Sequence, residues 1–172
     1  MFDIETPRLL LRKITLQDEA DIFEILSDDQ TCLDDGGFHA HKEMDADFHN
    51  WVDSIQDSRR YAVILKKEQK CIGMIHLQNT DRAVKTYELG FVLNKCYGRK
   101  GYMSEAIHIM MQEWFRKEPV QMFTASHFPY NTASKQLIRK LGFTYEGLVR
   151  NAMNHAVFGP IDLLCYYKER EL

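Results

Sequence analysis

Tyr97-Gly98-Arg99-Lys100-Gly101-Tyr102-Met103-Ser104-Glu105-Ala106 is the stretch that decides the reading of this chain. The apolar run Tyr87-Glu88-Leu89-Gly90-Phe91-Val92-Leu93 precedes it and reads as a buried strand. After it, Ile107, Met110, Met111, Trp114 and Phe115 recur at the spacing of one helix face, to about Arg116. A strand, a loop with two glycines and two cations, then a helix is an arrangement suited to phosphate. Glycine allows close backbone approach, and the free N–H groups of a first helical turn attract an anion. The same ten residues also fit an ordinary strand-to-helix turn, so the surrounding chain has to decide.

Working outward, Pro119 ends the helix, and Met122–Ser126 reads as a strand parallel to the first, because a helical crossover connects them. Asn131 is placed to cap a further helix that carries Ala133, Leu137, Ile138 and Leu141 on one face. Gly142 falls where a helix C-terminus favours a left-handed residue, with Phe143 folding back on the last turn. Thr144–Arg150 and Asp162–Tyr167 read as closing strands. Upstream, Tyr61–Leu65, Cys71–Leu77 and Val84–Leu93 form an antiparallel meander joined by polar turns. Arg8–Arg12 opens the chain as a strand, and Thr15 with Asp18 resembles a capping box before Ile22, Phe23 and Leu26. Asp34-Asp35-Gly36-Gly37 reads as a turn-rich link into a helix over about 43–55, with Met44, Phe48, Trp51 and Ile55 facing the core.

With 172 residues and no linker, repeat or low-complexity tract, the chain is expected to form a single domain over 1–172. A net charge of -3 excludes general nucleic-acid binding by a basic surface. Cys32, Cys71, Cys96 and Cys165 form no Cys-x-x-Cys pair, which gives neither a zinc knuckle nor a dithiol motif. They read as reduced thiols of a cytoplasmic protein, with Cys96 in a packing role. No signal peptide and no membrane span are expected.

One region is strongly one-signed. Asp28, Asp29, Asp34, Asp35, Glu43, Asp45, Asp47, Asp53 and Asp57 stand against the single base Lys42. Such a block is either a solvated face or an acidic rim that draws a cationic partner. His39 and His41 lie within it as loop histidines, without the further ligands a metal site needs.

Two helix starts, Gly98–Ala106 and Asn131–Ser134, flank one strand and should meet at the same sheet edge. Glu88 lies on the strand leading to the first. In this order and spacing the segments resemble the GNAT superfamily of N-acetyltransferases, in its RimJ/RimL-like branch of ribosomal-protein N-terminal acetyltransferases. Glu5–Arg12 resembles that branch's opening strand, Tyr87–Phe91 its central strand and Gly98–Ala106 its acetyl-CoA loop. Asn131-x-x-Ser134, Lys140–Phe143, Glu146-Gly147 and Asp162 with Tyr166 resemble its later signatures.

The resemblance implies an α/β (α+β mixed) GNAT-like fold, with a mostly antiparallel sheet of about seven strands and about four helices on both faces. It implies acetyl transfer from acetyl-CoA to a primary amine by direct attack, without a metal. Backbone of Phe91, Val92 and Leu93 would pair with the pantetheine arm. Arg99, Lys100, Gly101, Tyr102, Met103 and Ser104 would hold the pyrophosphate, and Asn131 and Ser134 would face the arm and its sulfur. The acceptor would be a protein N-terminus, a polyamine or an amino sugar, and the enzyme a monomer or homodimer.

The chemistry adds its own demand: an ammonium must lose a proton before it attacks a thioester. Glu88 is the candidate base, acting directly or through a water, and Ser134 the candidate donor to the departing thiolate. Some relatives place an acid where Met153 stands, which leaves His155 and Tyr145 in reserve. It also keeps open a catalytically silent CoA-binding sensor on the same fold.

Overall fold

The computed structural model describes residues 1–56 and 58–171; Asp57, counted in the acidic block, lies outside them. Eight strands and five α-helices alternate along the chain: β1 (Ile4–Glu5), β2 (Leu9–Lys13), α1 (Glu19–Leu26), α2 (Asp29–Gly36), α3 (Ala46–Ile55), β3 (Arg60–Leu65), β4 (Lys70–Asn79), β5 (Thr86–Leu93), α4 (Tyr102–Lys117), β6 (Met122–His127), α5 (Thr132–Lys140), β7 (Thr144–His155) and β8 (Gly159–Glu169). This is the α+β GNAT-like architecture the resemblance implied, with one strand and one helix more. The extra strand is the two-residue β1. The extra helix is α2, where the sequence suggested a link. Asp28 caps it by accepting from the Thr31 N–H, and Gly37 closes it at φ +73°.

All strands lie in one sheet of order β1-β2-β3-β4-β5-β6-β8-β7. Every pairing is antiparallel except β5 with β6, which is parallel as the crossover predicts. That parallel pairing holds for only three residue pairs, Thr86↔Met122, Tyr87↔Phe123 and Glu88↔Thr124. From Leu89 to Leu93, β5 continues beside β4 while β6 swings away to pair with β8.

Strand alternation sends apolar side chains to both faces. Leu9, Leu11, Tyr61, Val63, Ile75, Leu89 and Phe123 pack against Ala106, Ile107, Met110 and Trp114 of α4 and Ile138 of α5. Tyr61 and Trp114 meet inside this core, the indole N–H donating to the phenol oxygen at 3.0 Å. On the opposite face Ala62, Ile64, Met74 and Val92 pack against Ile22, Ile25 and Leu26 of α1 and Phe48, Val52 and Ile55 of α3. Two residues assigned to the core sit elsewhere. Met44 precedes α3 and is 53% exposed, and Ala133 faces solvent, so Leu137, Ile138 and Leu141 carry the α5 contact. The capping box of Thr15 and Asp18 opens a single 3-10 turn rather than α1 itself. Val84 is exposed and precedes β5.

Two ends are closed by glycine in the left-handed region. Gly142 at φ +81° lets the Phe143 N–H return to the Ile138 carbonyl, as the sequence led us to expect. Gly37 receives the tip of the β7–β8 hairpin: the Ala156 N–H donates to its carbonyl at 2.7 Å. A Cβ on Gly37 would lie 3.0 Å from the His155 ring and 3.2 Å from Phe128, whereas one on Gly159 (φ +68°) would meet nothing within 4 Å. Gly159→Ala should therefore cost about 1–2 kcal/mol of backbone strain. Gly37→Ala should cost roughly 1 kcal/mol or more beyond that from crowding, read from paired urea-unfolding curves. Equal costs would mean the hairpin tip does not press on α2.

Candidate active site at the strand splay

The site begins with backbone. Beyond Glu88, one edge of β5 has no strand partner, so alternate residues offer their N–H and C=O groups to the gap. Asn94 donates to Ile72 at 2.8 Å, and the Val92 carbonyl points at Gly73, 2.6 Å from where a Cβ there would sit. Those two residues therefore face β4, and alternation turns the backbone of Phe91 and Leu93 into the gap. The sequence had grouped Phe91, Val92 and Leu93 together; the register separates Val92 from its neighbours.

The loop after β5 is shaped for an anion. Arg99 at φ +60° and Gly101 at φ +79° both adopt left-handed backbone, which turns successive amides towards one side. The first helical bond of α4 runs from the Glu105 N–H to the Gly101 carbonyl. The N–H groups of Tyr102, Met103 and Ser104 therefore have no partner within the helix. Met103 sends its side chain into the core, 4% exposed, and offers the loop only its backbone. Arg99 and Lys100 are exposed, and Lys100 donates back to the Cys96 carbonyl at 3.0 Å. Cys96 itself is exposed rather than packed.

A residue the sequence reading passed over holds this loop. Arg8, just before β2, donates to the Lys100 carbonyl at 3.0 Å, pairs with Glu105 at 2.6 Å and lies over the Tyr102 ring. The Arg8 and Glu105 pairing spans most of the sheet order in sequence, so no local pattern announced it.

Behind the gap, on the α1–α3 face, lies a cavity of about 830 Å³. Glu88, Ser126 and Ser134 all line it, so the structure brings the predicted carboxylate and hydroxyl to one space. Glu88 accepts one hydrogen bond, from the Ser126 hydroxyl at 3.1 Å, and among the described residues no cation pairs with it. The Ser134 N–H is capped by the Asn131 side chain at 2.9 Å, while its own hydroxyl bonds to no described residue. Asn131 is 7% exposed and committed inward: besides capping α5, its amide donates to the Asp34 carbonyl at 3.0 Å. The reserve candidates lie outside the chemistry. Tyr145 lines a separate shallow hollow beside Lys135 and Arg139. His155 is 3% exposed, and its Nδ1 accepts from the Val157 and Phe158 N–H groups. The proton then sits on Nε2 and is donated to Tyr130, which donates onward to the Leu33 carbonyl. No lone pair of His155 is left for a substrate. Met153 lines the cavity without an acid.

The acidic block divides by role. Asp28 and Asp45 cap helices, and Asp29 pairs with Lys42. Asp34, Asp35, Asp45 and Asp47 line the same cavity as Glu88. Burial at the end of α2 pushes the Asp35 carboxyl up to about 7, and the negative end of the helix acts in the same direction. Burial raises Asp34 too, against a hydrogen bond from Gln30. On the sheet floor Arg60, His76 and Gly90 form one row across β3, β4 and β5. His76 lies across Gly90, where a Cβ would be 2.0 Å from its ring. Burial and the neighbouring Arg60 push its pKa down to about 4. These floor residues left a faint sequence signal: Arg60, His76 and Gln78 are the polar members of otherwise apolar strands. Among the described residues no group of His, Cys, Asp and Glu is arranged to hold a metal ion.

The described residues thus present gap-facing backbone on β5, left-handed turns before α4, and a carboxylate whose one hydrogen-bond partner is a neutral hydroxyl. Residues 8–144 match the family model for the acetyltransferase (GNAT) domain, and the chain belongs to that family. It is an acetyl-CoA-dependent N-acetyltransferase by class. It is 29% identical over 152 residues, 87% of each chain, to the uncharacterized N-acetyltransferase YnaD of Bacillus subtilis (strain 168). The crystal structure of a GNAT-family acetyltransferase from Bacillus anthracis superposes with a TM-score of 0.87 at 27% identity over 98% of both chains. RimL, a ribosomal L7/L12 alpha-N-protein acetyltransferase solved with coenzyme A, shares the fold at a TM-score of 0.82, 16% identity and 98% coverage of both chains.

The two perturbed groups set opposite pH dependences. Asp35 is raised from 3.8, so its contribution to stability is full at low pH and is lost as pH rises through about 7. His76 is lowered from 6.5, so its contribution is full above about 6.5 and is lost as pH falls towards 4. Between pH 4.5 and 7.5, wild type should lose about 1–2 kcal/mol relative to Asp35→Asn and gain a similar amount relative to His76→Gln. Urea unfolding at the two pH values reads both; parallel curves would mean neither group is perturbed.

Proposed function

We propose that this protein transfers an acetyl group from acetyl-CoA to a primary amine by direct attack in a ternary complex, with Glu88 as the general base. One observation carries the reading: Glu88 stands in the cavity that adjoins the β5–β6 gap, held only by a neutral hydroxyl. A carboxylate in that state remains free to take a proton directly or through a water. An α-amino group titrates near ~8 and a lysine near ~10.4, so an N-terminal amine asks less of the base.

Acetyl-CoA, when bound, supplies an activated acyl carbonyl and a thiolate leaving group. The residues present fit it. The gap-facing backbone of Phe91 and Leu93 suits the amides of a pantetheine arm. The turned amides of Arg99–Ser104, with the side chains of Arg99 and Lys100, suit a pyrophosphate. Ser134, whose hydroxyl has no partner among the described residues, would donate to a sulfur with a free pKa of about 8.5. Asn131 acts indirectly, by fixing the start of α5. Asp34, Asp45 and Asp47 give the cavity a negative field that draws an ammonium, and Asp35 adds to it fully only above about pH 7. This favours a peptide N-terminus, a polyamine or an amino sugar among acceptors. We read residues 1–172 as one catalytic domain, and its four free thiols suit a cytoplasmic setting. Among the described residues no helix is long and apolar enough to cross a membrane.

Glu88→Gln is the direct test. Thiol release should fall by about 10²–10⁴ in kcat, while the Kd for acetyl-CoA by calorimetry stays within about twofold. An unchanged kcat removes Glu88 as the base. Acetyl-CoA binding with no acetylation of any amine in a broad panel favours the silent sensor instead.

A further inference from the structure

Among the described residues, Arg60 is the one Lys or Arg lining a cavity that holds Asp34, Asp35, Asp45, Asp47 and Glu88. It opens β3 directly opposite His76, and the His76 imidazole fills the space where a Cβ on Gly90 of the next strand would sit. Among the described residues it makes no hydrogen bond and no ion pair within 4 Å; Asp35 acts on it only as a charge at longer range. It is not sealed in, because no buried side-chain nitrogen lacks a partner, so the guanidinium nitrogens reach the cavity space. Arg8 and Arg12, by contrast, are paired, with Glu105 and Asp18.

Holding a half-buried guanidinium without a bonded anion costs stability, because desolvation is not repaid by a partner. The neighbourhood does not relieve that cost. His76 is kept neutral beside it, and Asp35 is held back at the end of α2, itself reluctant to ionise. A planar, permanently charged fork facing a ligand cavity is matched by a carboxylate, which accepts two parallel N–H bonds. Arg60 and Glu88 are two strands and two residues apart, about 12 Å between Cα atoms by sheet spacing. Their long side chains close much of that distance across the floor.

From this we infer that Arg60 is a specificity-determining residue for the acceptor, binding a carboxylate borne by the same small molecule whose ammonium is presented to Glu88. The inference rests on the acetyl-transfer reading above and narrows it. The acceptor is an amine with an acid group within a few bonds, as in a free amino acid or a peptide N-terminus followed by Asp or Glu. A polyamine lacks the group Arg60 is waiting for. Glu88 and Arg60, both lining the cavity, then meet the two ends of a zwitterion.

The test uses the full chain and matched acceptor pairs: L-amino acids against their amides, and dipeptide amides with Asp or Glu second against Asn or Gln. Wild type and Arg60→Gln are compared, with melting curves to verify folding and calorimetry to measure acetyl-CoA binding. In wild type the acid member of at least one pair should have a KM about tenfold or more below its neutral partner, the scale of a charged hydrogen bond. In Arg60→Gln that ratio should collapse towards one, with kcat on the acid changed far less than KM. Arg60→Lys should recover only part of the preference. The pair that responds tells a free amino acid from an acidic N-terminus. The inference is overturned if the ratio survives in Arg60→Gln, if amides or polyamines are the better acceptors of wild type, or if no carboxylate-bearing amine binds or is acetylated. Loss of acetyl-CoA binding by wild type would instead strike at the transfer reading itself.

Discussion

Everything at this site depends on how briefly β5 and β6 stay together. Three parallel residue pairs join them; then β6 turns to β8 and β5 goes on alone beside β4. An unpaired strand edge inside a sheet is costly unless something satisfies its N–H and C=O groups. Here the divergence opens the cavity, exposes the backbone of Phe91 and Leu93, and sets the starts of α4 and α5 on either side. Glu88 occupies the last paired position before the split, which holds its backbone on both sides while its side chain faces the opening.

The walls are fixed by bonds between segments distant in sequence. On the loop side Arg8 grips the Lys100 carbonyl and Glu105, so the turn before α4 is tied to the opening strands. On the acceptor side Asn131 and Tyr130 hold the Asp34 and Leu33 carbonyls at the end of α2. His155 and Ala156 bring the β7–β8 hairpin to the same place. The Asp34 carbonyl is one that a helix C-terminus leaves unsatisfied, and the Leu33 carbonyl accepts from the Gly37 N–H as well as from Tyr130. Asp34 and Asp35 are thereby placed at the cavity by neutral hydrogen bonds to the end of α2.

Local pattern made much of this legible. The β5-loop-α4 unit, the parallel crossover, the Asn131 cap and the Gly142 stop are each written within a few neighbouring residues. Helix α2 was hidden because Asp34-Asp35-Gly36-Gly37 has the composition of a turn. Its helix is held by the Asp28 cap, buried Cys32 and docking of the hairpin rather than by propensity. Met44 matched the apolar spacing but fell ahead of the Asp45 cap, where the helical period does not yet apply. Within the site, Glu88 and Ser134 could be named from motifs. Arg60 and His76 could not, because their meaning comes from cross-strand register and from the space Gly90 leaves open. The functions of Asp34 and Asp28, similar in sequence, part only when one is seen lining a cavity and the other capping a helix.

The claim that the splay is the donor site can be read most directly by residue-resolved amide hydrogen exchange with and without coenzyme A. The Val92 amide, which faces β4, should be slow in both states. The Phe91 and Leu93 amides, which face the gap, should be fast in the free protein and slow markedly on addition of coenzyme A. The Tyr102, Met103 and Ser104 amides should slow with them. Phe91 and Leu93 amides that are already slow without ligand, or that stay fast when coenzyme A is bound, would contradict the account.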